Sequence, residues 1–211
     1  MDDTPMTSPI AQDLLGRLQG QPLSDIGRQL GLSDSQVQGA VATALPLLLG
    51  ALGRNASQPQ GADALFGALQ RDHAGEDIGS VLGAVLGGGG QGAGILDHVL
   101  GARQQTAVRG IEASTGLDGD RAGNLLKMLA PLVLAYLARR MFSSDPAPAG
   151  TAPLSPTPQS LGSVLGQESR RISESGGLAG GLLGAVLDQD GDGDADLGDL
   201  VRLGGSIFGG R

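Results

Sequence analysis

Gly31 to Arg54 reads GLSDSQVQGAVATALPLLLGALGR, and eighty-five positions later Gly116 to Arg139 reads GLDGDRAGNLLKMLAPLVLAYLAR. In that register Gly31 falls on Gly116, Leu32 on Leu117, Pro46 on Pro131, Leu47 on Leu132, Leu49 on Leu134, Leu52 on Leu137 and Arg54 on Arg139. Upstream, Ile26 falls on Ile111, and IAQDLLG from Ile10 falls on ILDHVLG from Ile95. A gapless register of this length reads as a duplicated structural unit.

The unit is helical throughout. Ile10, Leu14, Leu15 and Leu18 lie on one face at helical spacing, after Ser8 as N-cap and Pro9 at the first helical position. A short helix from Ser24 to Leu30 ends at Gly31, and Ser33 caps a long one whose stripe is Val37, Val41, Ala44, Leu45, Leu48 and Leu52. Pro46 lies inside that stripe. A proline there removes one backbone hydrogen bond and predicts a kink, which Pro131 repeats. Between the units come a polar turn at Asn55 to Gly61, short helices at Gly61 to Leu69 and Asp77 to Leu86, and a glycine run from Gly87 to Gly94, read as a flexible connection.

The predicted fold is all-α. Two related multi-helix repeats, about 7–54 and 92–139, share one core, because each is too small to bury a wide one alone. They form a duplicated helical domain at 1–142. A flexible linker with five prolines follows at 143–160, then a C-terminal helical tail at 161–211 with a helix, an acidic loop at 188–199 and a second helix.

Composition narrows the function. The formal net charge is -8, and the helix-turn-helix look of Asp25 to Leu45 has no Lys or Arg in its second helix, so no nucleic-acid partner is expected. Zero Cys excludes disulfides, thiol catalysis and thiolate zinc sites. The apolar run Leu125 to Phe142 is short for a membrane span and contains Lys127 and Pro131, so no membrane insertion is expected. Two Asp near the N-terminus and no long apolar run after them argue against a secretory signal, and the expected location is cytoplasmic.

Asn55-Ala-Ser, Gly61-Ala-Asp-Ala-Leu, Gly94-Ile-Leu-Asp-His-Val-Leu-Gly101 and Leu129-Ala-Pro-Leu-Val133, with the ending Gly181-Leu-Leu-Gly-Ala-Val-Leu-Asp-Gln-Asp-Gly-Asp-Gly193, together resemble the YidB-like bacterial family, domain of unknown function 937. That resemblance implies an all-helical fold. It brings no activity, substrate or catalytic residue.

Chemistry is concentrated in DQDGDGDADLGD, Asp188 to Asp199. Asp188, Asp190 and Asp192 take positions one, three and five of a twelve-residue calcium loop, with Gly193 at the sharp turn of position six. Asp194 offers its backbone carbonyl from seven, and Asp199 stands at twelve, where one methylene fewer than Glu shortens its reach. Calcium wants six to eight oxygens, which alternate residues on a tight loop supply. The layout also resembles EF-hand and dockerin loops, and calcium is the expected cofactor. His73 and His98 are the histidines, each preceded by Asp. The preferred reading is a non-enzymatic interaction or scaffold module that binds a protein partner or itself. The alternative is a hydrolase using His98 with Asp97.

Overall fold

The computed structural model describes residues 9–72, 77–88, 91–142 and 156–174. Among them all regular structure is helical: α1 (Pro9–Leu18), α2 (Gln21–Leu30), α3 (Asp34–Ser57), α4 (Pro59–Asp72), α5 (Ile78–Leu86), α6 (Gly92–Leu100), α7 (Gln104–Thr115), α8 (Gly119–Phe142) and α9 (Pro158–Glu174). One turn of 3-10 helix, Gly101–Arg103, joins α6 to α7. The fold is all-α, as the hydrophobic periodicity predicts.

The ends of the long helices follow from local chemistry. Ser33 accepts from the Gln36 backbone N–H, and the Gln36 side chain accepts from the Ser33 N–H in return. This capping box satisfies two donors that a helix start leaves without partners. At the head of α8, Asp118 accepts from Arg121 N–H at 2.9 Å. The turns before these caps both need a left-handed residue, supplied by Gly31 at φ 65° and Gly116 at φ 73°. A side chain at either position would strain the backbone. Ser33 and Asp118, like Gly31 and Gly116, stand eighty-five positions apart.

Burial explains why α3 and α8 lose their amphipathic stripe midway. Residues 44–53 of α3 and 128–138 of α8 are buried without a break. A helix that is apolar all round belongs inside a core. α3 is long and apolar enough to cross a membrane by length and composition, and most of its apolar stretch is buried within the protein. The sequence draws attention to the apolar run of α8; among the described residues the helix of that length and apolarity is α3. Pro46 and Pro131 both lie inside helices that continue past them.

Several boundaries differ from the sequence reading. α2 begins at Gln21, not Ser24, because Pro22 occupies the first turn, where its missing N–H costs nothing. The polar turn expected at Asn55 to Gly61 shrinks to Gln58, since α3 runs to Ser57 and α4 starts at Pro59. Gly61 makes that corner possible: a Cβ there would run into the Asn55 carbonyl. α6 starts within the glycine run, at Gly92. α9 starts at Pro158, inside the segment read as linker, with Thr157 accepting from Ser160 N–H at 3.1 Å. It does not stand apart from the body. It packs on α3 more extensively than any other two described helices pack together, and it also lies on α4. The acidic loop 188–199 and the rest of the tail after Glu174 lie outside the described residues.

Candidate functional site

Asp97 and His98 are both exposed, side by side on α6. Neighbours in a helix point in different directions and do not face each other, so the arrangement does not bring the two side chains together. The His98 carbonyl accepts from the Asn55 side chain at 3.3 Å, which ties α6 to the end of α3 through backbone and not imidazole. His73 lies outside the described residues, as do Asp188, Asp190, Asp192, Asp194 and Asp199. Among the described residues no group of three or more His, Asp or Glu is placed to hold a metal ion.

The buried polar chemistry lies elsewhere, where α1, α8 and α9 meet. The Tyr136 hydroxyl donates to Asp13 at 2.6 Å and accepts from Arg140 at 3.3 Å. Arg17 donates to Asp13 at 3.0 Å, with its guanidinium 5.8 Å from the centre of the Tyr136 ring. Partial burial works against the charge on Asp13. Hydrogen bonds from Tyr136 and Arg17, with the charges of Arg17 and Arg140, outweigh it and hold the carboxyl below the ordinary range. The Tyr136 hydroxyl is pushed up to about 12, by burial first and by its bond to Asp13 second.

One turn from this group, Glu168 of α9 is buried, only 3% exposed. It accepts from the Ile10 backbone N–H at 2.8 Å and from Ala11 N–H as well. A carboxylate from one helix thus caps the open N-terminus of another, where orphan donors and the helix dipole favour an acceptor. Burial nevertheless wins, and raises the Glu168 carboxyl above its ordinary value. The sequence reading missed this group. One signal was there: Leu161, Leu165 and Ile172 form the buried stripe of α9, and Glu168 stands in that stripe. A lone carboxylate in a core position marks a buried partner.

A cleft of about 320 Å³ opens between α2, the end of α5, the start of α6 and α8. Leu30, Val85 and Met128 give it apolar walls, while Gln29, Asn124 and Lys127 bring polar groups to its edge. Gly92 lets α6 press onto α8 here. A Cβ on Gly92 would run into the Lys127 carbonyl. That carbonyl lies four residues before Pro131, which has no N–H to give it. The Gly92 backbone therefore lies directly against the oxygen that the proline leaves without its helical donor.

The fold and these sites define a helical core module. Its buried polar groups join helix to helix, and its exposed histidine has no partner base or nucleophile arranged around it among the described residues. The profile of a family described as bacterial protein of unknown function (DUF937) matches residues 12–140. The chain belongs to this family. No curated protein and no solved structure matches it at a significant level.

Proposed function

We propose that the chain is a non-enzymatic interaction or scaffold module, with a helical body that binds a protein partner and a single calcium loop at Asp188 to Asp199. The supporting observation is the use to which the body puts its polar chemistry. Asp13, Tyr136 and Glu168 are engaged with other helices, and Arg140 holds Tyr136 from the next turn of its own, which is how a packing unit employs such groups and leaves no acid–base pair poised over a cleft among the described residues. The internal duplication belongs to the same reading. α3 and α8 begin eighty-five positions apart, have equal length and are capped at matching residues. The narrower YidB-like resemblance, the kinks at Pro46 and Pro131 and a cytoplasmic location complete it.

In this reading Asp188, Asp190, Asp192, the Asp194 carbonyl and Asp199 coordinate one calcium ion. Titration calorimetry on chelator-treated protein should show binding in the micromolar to millimolar range, lost in Asp188→Ala with Asp192→Ala. No heat at millimolar calcium would leave the loop as an acidic turn. Affinity capture with the full chain, with and without calcium, tests the partner. The interaction reading fails if nothing is retained in either condition.

A further inference from the structure

We propose that the face formed by α3, α4 and the N-terminus of α1 is a helix-docking groove, that α9 is its tethered occupant, and that an amphipathic helix of a partner protein displaces α9 from it. The proposal deepens the interaction reading by giving it a surface.

Three observations carry it. The first is the fit. Leu161, Leu165 and Ile172 of α9 are buried in the groove while Gln159, Ser163, Gln167, Arg170 and Arg171 face solvent. Gly53 of α3 lets the backbones meet: a Cβ there would lie 2.8 Å from the Leu165 carbonyl and run into Ser169. Gly162 returns the approach, since a Cβ on it would lie 3.0 Å from the Ala56 carbonyl and 4.0 Å from Ala62 Cβ. Glu168 then caps α1. The groove therefore selects a helix by a pattern, Leu161-Gly162 with Leu165 one turn on, Glu168 at the second turn and Ile172 at the third. Shape, close backbone approach and a charge-assisted cap are what helix-in-groove recognition uses.

The second observation is where the family ends. The family profile stops at residue 140, before α9. The two long walls of the groove, α3 and α4, lie inside the matched stretch, while its filling and the first turn of α1 that Glu168 caps lie outside it. An indispensable core helix would be expected within the unit that defines the family.

The third is the tether. Residues 143–155, thirteen in number, separate Phe142 from the next described residue. Extended, they reach about 40 Å. The Phe142 ring packs edge-on against Phe66 of α4 with centroids 5.3 Å apart, and Gly162, six residues after Pro156, lies against Ala62 one turn away on the same helix. The connection is longer than the path between its ends, which one turn of α4, about 6 Å, and the short stretch from Pro156 to Gly162 make up. α9 can leave the groove and stay attached.

The cost of burying Glu168 makes displacement feasible. Its carboxyl loses water to reach α1, so the docked state of α9 gives back part of what its leucines contribute.

The test uses the whole chain with a specific protease site placed at Gly150. After cleavage, a fluorescent peptide of residues 156–174 is added at about 10 μM and followed by anisotropy, with circular dichroism reporting the body. A tether of this kind holds its ligand at an effective concentration near 1 mM, so the cleaved chain should take up labelled peptide about 100-fold more readily than the uncleaved one. The body should stay helical, and a peptide with Leu161→Asp and Leu165→Asp should not bind. The proposal is overturned if α9 never exchanges, if the body unfolds when α9 leaves, or if the double-Asp peptide binds equally well. Uncleaved chains that form dimers in light scattering by trading their own α9 would assign the groove to self-association, which also overturns the partner-helix proposal. Loss of the groove by any of these routes leaves the affinity-capture test of the interaction reading standing on its own.

Discussion

α3 and α8 are the same helix twice in outline and different in what they meet. Each has 24 residues and carries an internal proline, and each is buried all round through its middle. At matching positions, however, Gly50 faces Ala135, Ala51 faces Tyr136 and Gly53 faces Ala138. α3 has given up side chains, and α9 comes in against its backbone at Gly53. α8 has kept them, and Tyr136 reaches Asp13 of α1 through a hydroxyl. Where α8 does admit a close neighbour, the glycine is on the visitor: Gly92 of α6 sits over the carbonyl that Pro131 leaves free. Apolar periodicity decides that a helix is buried. The few positions that break the match decide what lies against it.

The largest effect is expected where neither side can yield. Gly92→Ala sets a Cβ against the Lys127 carbonyl, a backbone atom. Alanine gains about 1 kcal/mol over glycine within a helix, but overpacking against rigid backbone costs about 1–3 kcal/mol and sometimes more. With the Cβ driven into that oxygen the upper end applies, and a net loss of about 2 kcal/mol is expected in urea unfolding. An unchanged or raised midpoint would show that the close α6–α8 approach is not a feature of the folded protein.

Gly53→Ala should cost less, about 1 kcal/mol, because two of the three atoms it meets belong to the Ser169 side chain, whose hydroxyl can turn away. Its effect should also be local. Hydrogen exchange in α9 should speed up while the centre of α8 keeps its protection. Equal acceleration in both helices would mean that α9 is part of one cooperative core, and the contrast between the two long helices would collapse.

Much of this contrast was legible, and the rest was not for physical reasons. The pattern of Val37, Val41, Leu45, Leu48 and Leu52 marks α3, and Ser33 with Gln36 three residues on marks its start. Both are local signals. The Asn55 to Gly61 stretch misled because polar residues and glycine suit a loop. Here Gly61 serves a tight corner between two helices, which depends on where Asn55 lies in space. α9 falls in the stretch that the sequence divides between linker and helical tail, since a run of prolines breaks the chain into segments without saying whether the next segment returns. Tyr136 and Asp13 lie 123 positions apart, and no local pattern joins them.

Glu168 offers a test of how α9 is held. Its folded pKa is raised, so the folded chain keeps this proton more tightly than the unfolded one. The resulting stabilisation is fully present below the ordinary Glu pKa of about 4.3 and is lost as pH rises through the folded value. Glu168→Gln keeps an acceptor for Ile10 N–H without the charge. It should match or exceed the wild type at pH 7, by up to about 1 kcal/mol, and flatten the stability profile above pH 4.3 or so. Glu168→Ala should lose about 1–2 kcal/mol, because the α1 donors are left without an acceptor. Identical pH profiles for wild type and Gln would mean that the carboxyl is not buried against α1.

An effect as small as that of Gly53→Ala is expected at Tyr136, and it can be read without ambiguity. The chain has one Tyr and no Trp, so ultraviolet absorbance follows this hydroxyl alone. Tyr136→Phe removes a hydrogen bond to a charged partner, but Asp13 keeps Arg17 and part of its water. The loss should therefore be about 1 kcal/mol at neutral pH. Asp13 has a lowered folded pKa, so its contribution is present above the ordinary value of about 3.9 and fades as pH falls through the folded one. The gap between wild type and Phe should shrink accordingly at pH 3. At the alkaline end the sign reverses: the folded state favours the protonated phenol, so its contribution holds below pH 10 or so and drains away as pH rises toward the folded value of about 12. Tyrosinate absorbance should accordingly appear near pH 12 in the folded protein and near pH 10 in denaturant. A folded-state midpoint at the ordinary value would place the hydroxyl in water, and α8 would then differ from α3 only in size at that position.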